Sequence, residues 1–204
     1  MTRLVLATGN PDKAREITPL LREAGVDPVV AGELIEEWEV EETGSTLEEN
    51  ARIKATAAVD ATGLPALADD TGLFVDVLDG APGVRSSRYA GERASYERNV
   101  TKLLGELSDV PADRRSARFR TVAVLARVDG EERRFEGVLE GCIVGKRRGG
   151  SGFGYDPVFE VAGAGRTLAE MSLEEKNRIS HRARALRAVA DFLAANPGWA
   201  RRVV

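Results

Sequence analysis

Two adjacent carboxylates at the end of an apolar run are the first residues here with an evident chemical use. Residues 64–72 read LPALADDTG, so Asp69 and Asp70 are followed by Thr71 and Gly72. Successive strand side chains point to opposite faces. Neighbouring aspartates in a strand are therefore not placed to share a proton as a dyad. One can face a reacting group while the other packs against it or orients it. A plain strand-to-turn junction also favours Asp and Gly, and that reading stands beside the first. A second acidic pair, Glu41-Glu42, lies in EEWEVEETG (36–44), and most such runs are solvated loops.

The lysines give these acids a context. Of 29 basic residues only five are Lys, at positions 13, 54, 102, 146 and 176. A compact ammonium binds phosphate as a point charge, whereas Arg binds it as a planar fork. Lys13 closes the run ATGNPDK (7–13): turn residues Thr8, Gly9, Asn10 and Pro11, then Asp12 and Lys13 in the first turn of a helix. The helix dipole disfavours a cation there by a few tenths to ~1 kcal/mol. Free N–H groups, a Gly and a Lys together seat an anion, most often phosphate; the bland alternative is a solvated Lys on a βα turn. Lys54 follows Glu49 and Asn50 on one helix and reads either as a second phosphate ligand or as a solvent-facing residue. Magnesium takes one or two carboxylates, keeps several waters and completes its shell with substrate phosphates. A few acids facing a few lysines, with no His cluster, matches that inventory.

Two further segments fit a nucleotide. GGSGFGYDP (149–157) places Phe153, Gly154, Tyr155 and Asp156 in a glycine-rich loop. Glycine lets a ligand approach closely, and an aromatic face stacks a nucleobase for ~1–3 kcal/mol; alternatively the aromatics plug the core. Lys176 and Ser180-His181-Arg182 offer donors to a base edge, or form an ordinary polar helix start.

The elements that must position these residues alternate in the first half. A buried strand over 3–7 leads to an amphipathic helix from Asp12 to Gly25, with Ile17, Leu20, Leu21 and Ala24 on one face. A short strand lies near 28–31. The capping box Thr46-Leu47-Glu48-Glu49 opens a helix that Gly63 ends. Strands are expected over 64–70 and 72–78, then a polar loop over 79–92 and a helix over 95–107. Two β-rich runs (116–130, 131–145) meet at Asp129-Gly130, a strong hairpin signal. A second capping box begins at Ser172, and Ser180 can cap a last helix carrying Leu186, Val189, Ala190 and Leu193. The pattern is α/β with a mixed sheet and a long β-hairpin.

Composition bounds the rest. The 204 residues, 43% of them hydrophobic, suit one domain, 1–204, with or without two lobes. The net charge of −4 gives the surface as a whole no polyanion-binding character. No apolar run approaches the ~20 residues of a membrane span, and no secretory leader is seen. Cys142 stands alone, which excludes an intrachain disulfide and fits a reducing cytoplasm. With His181 the only His, a structural zinc site is excluded as well.

Six segments in this order carry a resemblance: ATGNPDK (7–13), EETGSTLEENARIKA (41–55), ALADDTGL (66–73), GAPGVRSSRYAG (80–91), GGSGFGYDPVF (149–159) and EMSLEEKNRISHRARAL (170–186). Together they resemble the Ham1-like inosine triphosphate pyrophosphatases over nearly the whole chain. The resemblance implies an elongated two-lobed α/β fold with a central mixed sheet, flanking helices and a substrate cleft. It implies a cytoplasmic homodimer that uses Mg2+ to hydrolyse ITP, dITP and XTP to the monophosphate and pyrophosphate, with no nucleic-acid or membrane partner. By motif position, Thr8, Gly9, Asn10, Pro11, Asp12 and Lys13 hold the triphosphate and Lys54 assists. Glu41 and Asp70 match the magnesium acids, and Asp70 the proton acceptor; how Asp69 divides the catalytic work with it stays open. Thr71 matches a substrate contact, and Phe153, Gly154, Tyr155, Asp156, Lys176, His181 and Arg182 match the nucleoside-binding positions. Thr71 stands where Ser is commoner in the family, and Leu47 where Phe is. Two rivals remain: a Maf-type pyrimidine pyrophosphatase, disfavoured by the EKNRISHR run, and a nucleic-acid-binding module using the arginines at 114–120 or 178–187.

Overall fold

A computed structural model describes residues 2–200. It shows a mixed α/β chain with a sheet ordered β2-β1-β3-β5-β6-β7, and β4 added beside β3. Strand β1 (Thr2–Leu6) pairs in parallel with β2 (Val26–Val30) and with β3 (Ala66–Val75). Parallel neighbours need a crossover. Helix α1 (Pro11–Glu23) supplies one, and α3 (Leu47–Thr62) precedes the next. A single turn, α2 (Ala31–Leu34), lies between them.

The caps read from sequence form as expected. Thr46 and Glu49 bond reciprocally at the start of α3, and Gly63 ends it at φ 64°. Asn10 and Pro11, read from sequence as turn residues, instead cap α1 and open it. The expected strands over 64–70 and 72–78 are instead one strand, β3, running through Asp69, Asp70 and Thr71 without a break. Gly72, which read as punctuation between them, is a packing residue. A Cβ there would lie 2.6 Å from the carbonyl oxygen of Gly83 in β4 (Pro82–Gly83).

Helix α4 (Tyr96–Glu106), strands β5 (Ser116–Ala126) and β6 (Glu132–Ile143), and the 3-residue β7 (Phe159–Val161) follow. The turn between β5 and β6 closes with the Arg127 N–H donating to Glu131 O at 3.0 Å, and Gly130 adopts φ 83°. Strand β7 has no counterpart in the sequence reading. Helices α5 (Leu173–Ile179) and α6 (His181–Ala195) complete the chain.

The chain divides into two compact units. The first comprises Met1–Asp70, Thr121–Gly137 and Arg182–Val204; the second comprises Thr71–Arg120 and Val138–His181. Each has its own core. Leu4, Leu6, Ile17, Leu21, Leu67, Leu125, Leu186 and Val189 fill the first. Leu73, Leu103, Phe119, Ile143, Tyr155, Phe159 and Leu168 fill the second.

Candidate active site

In the first unit, β3 and the helices that follow β1 and precede β3 bring an ion-pair group together. Lys13 Nζ lies 3.3 Å from Asp69 Oδ2 and donates to the Asp69 carbonyl oxygen at 3.2 Å. Lys54 Nζ donates to the same carbonyl at 2.9 Å and to Asp70 Oδ1 at 3.4 Å. Lys54 is buried, not solvent-facing, because α3 packs its Ala51, Ala55 and Ala58 stripe inward. The neighbouring aspartates use different partners, as opposite strand faces require. Asp69 takes Lys13 and Arg182; Asp70 takes Lys54 and accepts from Asn50 Nδ2 at 3.4 Å.

Three residues not assigned to the site from sequence complete this group. Glu42 Oε1 lies 2.6 Å from Lys54 Nζ. Glu41, its neighbour, is exposed. The loop reaches α3 because Gly44 has no side chain: its N–H donates to Asn50 Oδ1 at 2.8 Å, where a Cβ would lie 2.6 Å from the same oxygen. Glu16 bonds Arg182 Nη1, while Arg182 Nε donates to Asp69 Oδ2 at 3.2 Å. Glu16 and Arg182 are 5% and 2% exposed. An acid beside Ile17 on the apolar face of α1 was the signal available for Glu16. Asn50 falls one turn before Lys54 and was legible as a neighbour of that lysine.

The electrostatics separate the two aspartates. Burial works against the Asp69 charge, but Lys13, Arg182 and Lys54 outweigh it and hold its pKa well below the usual carboxylate range. Burial dominates at Asp70, and Glu42 and Asp69 add repulsion. Its pKa is raised despite Lys54 and Lys13. Asp69 is thus a fixed anion, and Asp70 is the carboxylate able to take a proton. Burial lowers Lys13, with Lys54 contributing; for Lys54 the surrounding Asp70, Glu42 and Asp69 overcome burial and raise it. Two ammonium groups share one carbonyl oxygen, so an anion lying across both would relieve their repulsion.

The turn before α1 is preorganised. Asn10 Oδ1 accepts from the backbone N–H groups of Asp12 and Lys13 at 2.9 and 3.3 Å, and the Asn10 N–H donates to Thr8 Oγ1 at 3.1 Å. Two N–H groups that the sequence offered to an anion are therefore engaged by the cap. Gly9 lies against Trp38, and Pro11 and Asp12 occupy the first turn.

In the second unit the glycine-rich loop is tied by one acid. Asp156 Oδ2 accepts from the Phe153 N–H at 3.0 Å and from Lys176 Nζ at 2.5 Å. Gly152 adopts φ 75°, and a Cβ there would stand 2.1 Å from that oxygen. Lys176 also stands 5.0 Å from the Phe153 ring centroid. Tyr155 is core, its hydroxyl donating to Ser86 O at 2.9 Å, so the packing alternative holds for this aromatic. Phe153 remains part-exposed, and Gly154 sits between them at φ 62°. His181 is buried and stacked on Phe119 at 4.6 Å. Thr71, the first residue of this unit, is half-buried.

The family model described as the Ham1 family matches residues 4–192.

The chain belongs to the Ham1 family.

It is 50% identical over 199 residues to a dITP/XTP pyrophosphatase of Geobacter sulfurreducens, covering 98% of each chain. It is 50% identical over 196 residues to a dITP/XTP pyrophosphatase of Caldanaerobacter subterraneus, covering 95% of this chain and 96% of that one. Among solved structures, a HAM1 protein from Coxiella burnetii superposes with a TM-score of 0.86 at 44% identity, covering 96% and 100%.

Proposed function

We propose that this protein hydrolyses non-canonical purine nucleoside triphosphates, ITP, dITP and XTP, to the monophosphate and pyrophosphate. Relatives bearing that activity in their names match it across almost their whole length. The observation that carries the chemistry is the buried group around Asp69 and Asp70. Two lysines converge there on one oxygen, beside a carboxylate whose pKa is raised.

Lys13 and Lys54 hold the phosphate chain, with the Thr8–Lys13 turn supporting it. Asp70 orients a water and takes its proton as the water attacks the α-phosphorus; pyrophosphate leaves. Asp69 fixes both lysines through its carbonyl and carboxylate oxygens. Catalysis here is positioning plus electrostatic stabilisation.

Magnesium fits the donor set. Among the described residues no cluster of three or more His, Cys, Asp or Glu side chains forms a ready cage, but magnesium needs only one or two carboxylates when phosphates supply the rest. Asp70 and the Glu41-Glu42 pair would hold it, and it would neutralise phosphate charge.

The second-unit residues Phe153, Gly154, Asp156, Lys176 and His181, with Thr71, form the nucleoside half of the reading. Hypoxanthine and xanthine present an acceptor oxygen where adenine presents an amino group. A buried donor paired with that oxygen would be left unsatisfied by adenine, at ~1–3 kcal/mol. Arg182 is engaged with Asp69 and Glu16 in the first unit.

The protein acts as a cytoplasmic homodimer in this proposal. No helix of the described residues is long and apolar enough to cross a membrane. The test is a panel of ITP, dITP, XTP, the four canonical NTPs and dTTP, with and without magnesium, scored for pyrophosphate against phosphate. Pyrophosphate from ITP, dITP or XTP with magnesium is expected. Comparable kcat/KM for ITP and ATP, or orthophosphate as product, would overturn the reading.

A further inference from the structure

Asn50 brings an uncharged amide into the ion-pair group around Asp69 and Asp70, and nothing local calls for it. It lies on the buried stripe of α3 with Leu47, Ala51, Ala55 and Ala58, and it is fully buried. Ala or Leu would serve the helix better at such a position. A buried amide also costs stability unless its polar atoms are bonded. Asn50 is bonded at both ends. Its Oδ1 accepts from the Gly44 N–H at 2.8 Å, and its Nδ2 donates to Asp70 Oδ2 at 3.4 Å.

These partners admit one orientation of the amide. A backbone N–H can only donate, so the amide oxygen must face Gly44 and the NH2 must face Asp70. Gly44 is fitted to this contact: a Cβ there would stand 2.6 Å from Asn50 Oδ1 and 2.9 Å from the Asn50 backbone nitrogen. One turn further along the same helix, Lys54 Nζ donates to the other carboxylate oxygen, Asp70 Oδ1, at 3.4 Å. The two oxygens of Asp70 are thus met by donors from successive turns of α3. Two donors of fixed position, one on each oxygen, set the rotation of the carboxylate plane.

We propose that Asn50 is a positioning residue for the hydrolysis, fixing the rotation of the Asp70 carboxylate toward the attacking water. This rests on the reading of Asp70 as the group that orients that water. Asn50 acts through Asp70 and not on the phosphate chain, so its loss falls on kcat and not on KM. A misdirected group at the reacting atoms is costly even where binding is intact.

Asn50→Asp keeps the side-chain shape and the acceptor for Gly44 but removes the donor to Asp70. Asn50→Ala removes both and suits an Ala-rich helix face. Each is made alone and together with Asp70→Ala. ITP hydrolysis is followed with magnesium, under single-turnover conditions for the slow variants, and Tm is measured by calorimetry. Each single Asn50 variant is expected to lower kcat at least about tenfold, with KM within about threefold. Beside Asp70→Ala, the same changes are expected to lower kcat less than about twofold further, because the carboxylate they misdirect is gone. Parental kcat in both single variants would overturn the role of Asn50. So would an equal loss with and without Asp70, which is what a merely structural residue gives. A loss confined to the Ala variant would assign the effect to the Gly44 contact and overturn the proposal as well. A parent that cleaves no ITP would instead sink the hydrolase reading. The same cycle read in Tm would then decide the contact, additive losses overturning it.

Discussion

At the residue scale, the division of labour between Asp69 and Asp70 follows from their neighbours. Burial and the neighbouring Glu42 and Asp69 raise the pKa of Asp70, whereas that of Asp69 is lowered. Asp70→Asn is expected to lower kcat for ITP by orders of magnitude while IMP binding changes little; parental turnover in that variant would remove Asp70 from the mechanism. Glu42→Gln and Glu41→Gln separate the two acids of the adjacent pair. Glu42 touches Lys54 beside Asp70, so its variant should shift the magnesium dependence more than the Glu41 variant does. Asp69 bears on stability. Its lowered pKa means that its charge stabilises the fold above the unfolded carboxylate pKa, a contribution lost as pH falls through the folded value. Breaking a buried ion pair by removing one partner costs about 3–5 kcal/mol, or roughly 6–20 °C in Tm for a chain of this size. Asp69→Asn should show that loss at pH 7 and progressively less of it below about pH 4, by calorimetry. A deficit independent of pH would mean the charge is not what matters. Lys13→Ala should cost stability as well as phosphate binding, read as a lowered Tm, because Lys13 neutralises part of Asp69.

At the scale of elements, the sequence was most legible where one local rule decides. Thr46 and Ser172, each read as opening a capping box, cap the helices they precede. Thr46→Ala should cost about 0.5–2 kcal/mol, roughly 1–8 °C in Tm; it should also weaken phosphate binding if α3 is what holds Lys54 in register. The break expected inside β3 was illegible because Gly72 signals a turn locally and a close strand approach globally. Glu42, rather than Glu41, reaches Lys54 because Gly44 lets the loop dock on Asn50, a tertiary choice that an acidic run does not reveal. The three-residue β7 is too short to carry a period. Gly152→Ala should displace Asp156, and with it both Phe153 and Lys176. A several-fold rise in KM for ITP is the expected result, and unchanged kinetics would show the loop can yield.

For the whole molecule, two hydrophobic cores in one chain of mixed α/β topology carry the residues of one family. Sedimentation across a concentration series tests the homodimer, a monomer at all concentrations being the result against it. The placement of the five lysines has a chemical consequence of its own. Lys13, Lys54 and Lys176 are each committed to a carboxylate and largely screened from solvent, while Lys102 and Lys146 are exposed. An amine-acylating reagent at mild alkaline pH should therefore mark Lys102 and Lys146 long before the other three, as read by peptide mass spectrometry. The protein can then be dyed, biotinylated or coupled to a resin through Lys102 and Lys146 without touching Lys13 and Lys54, the lysines proposed to hold phosphate.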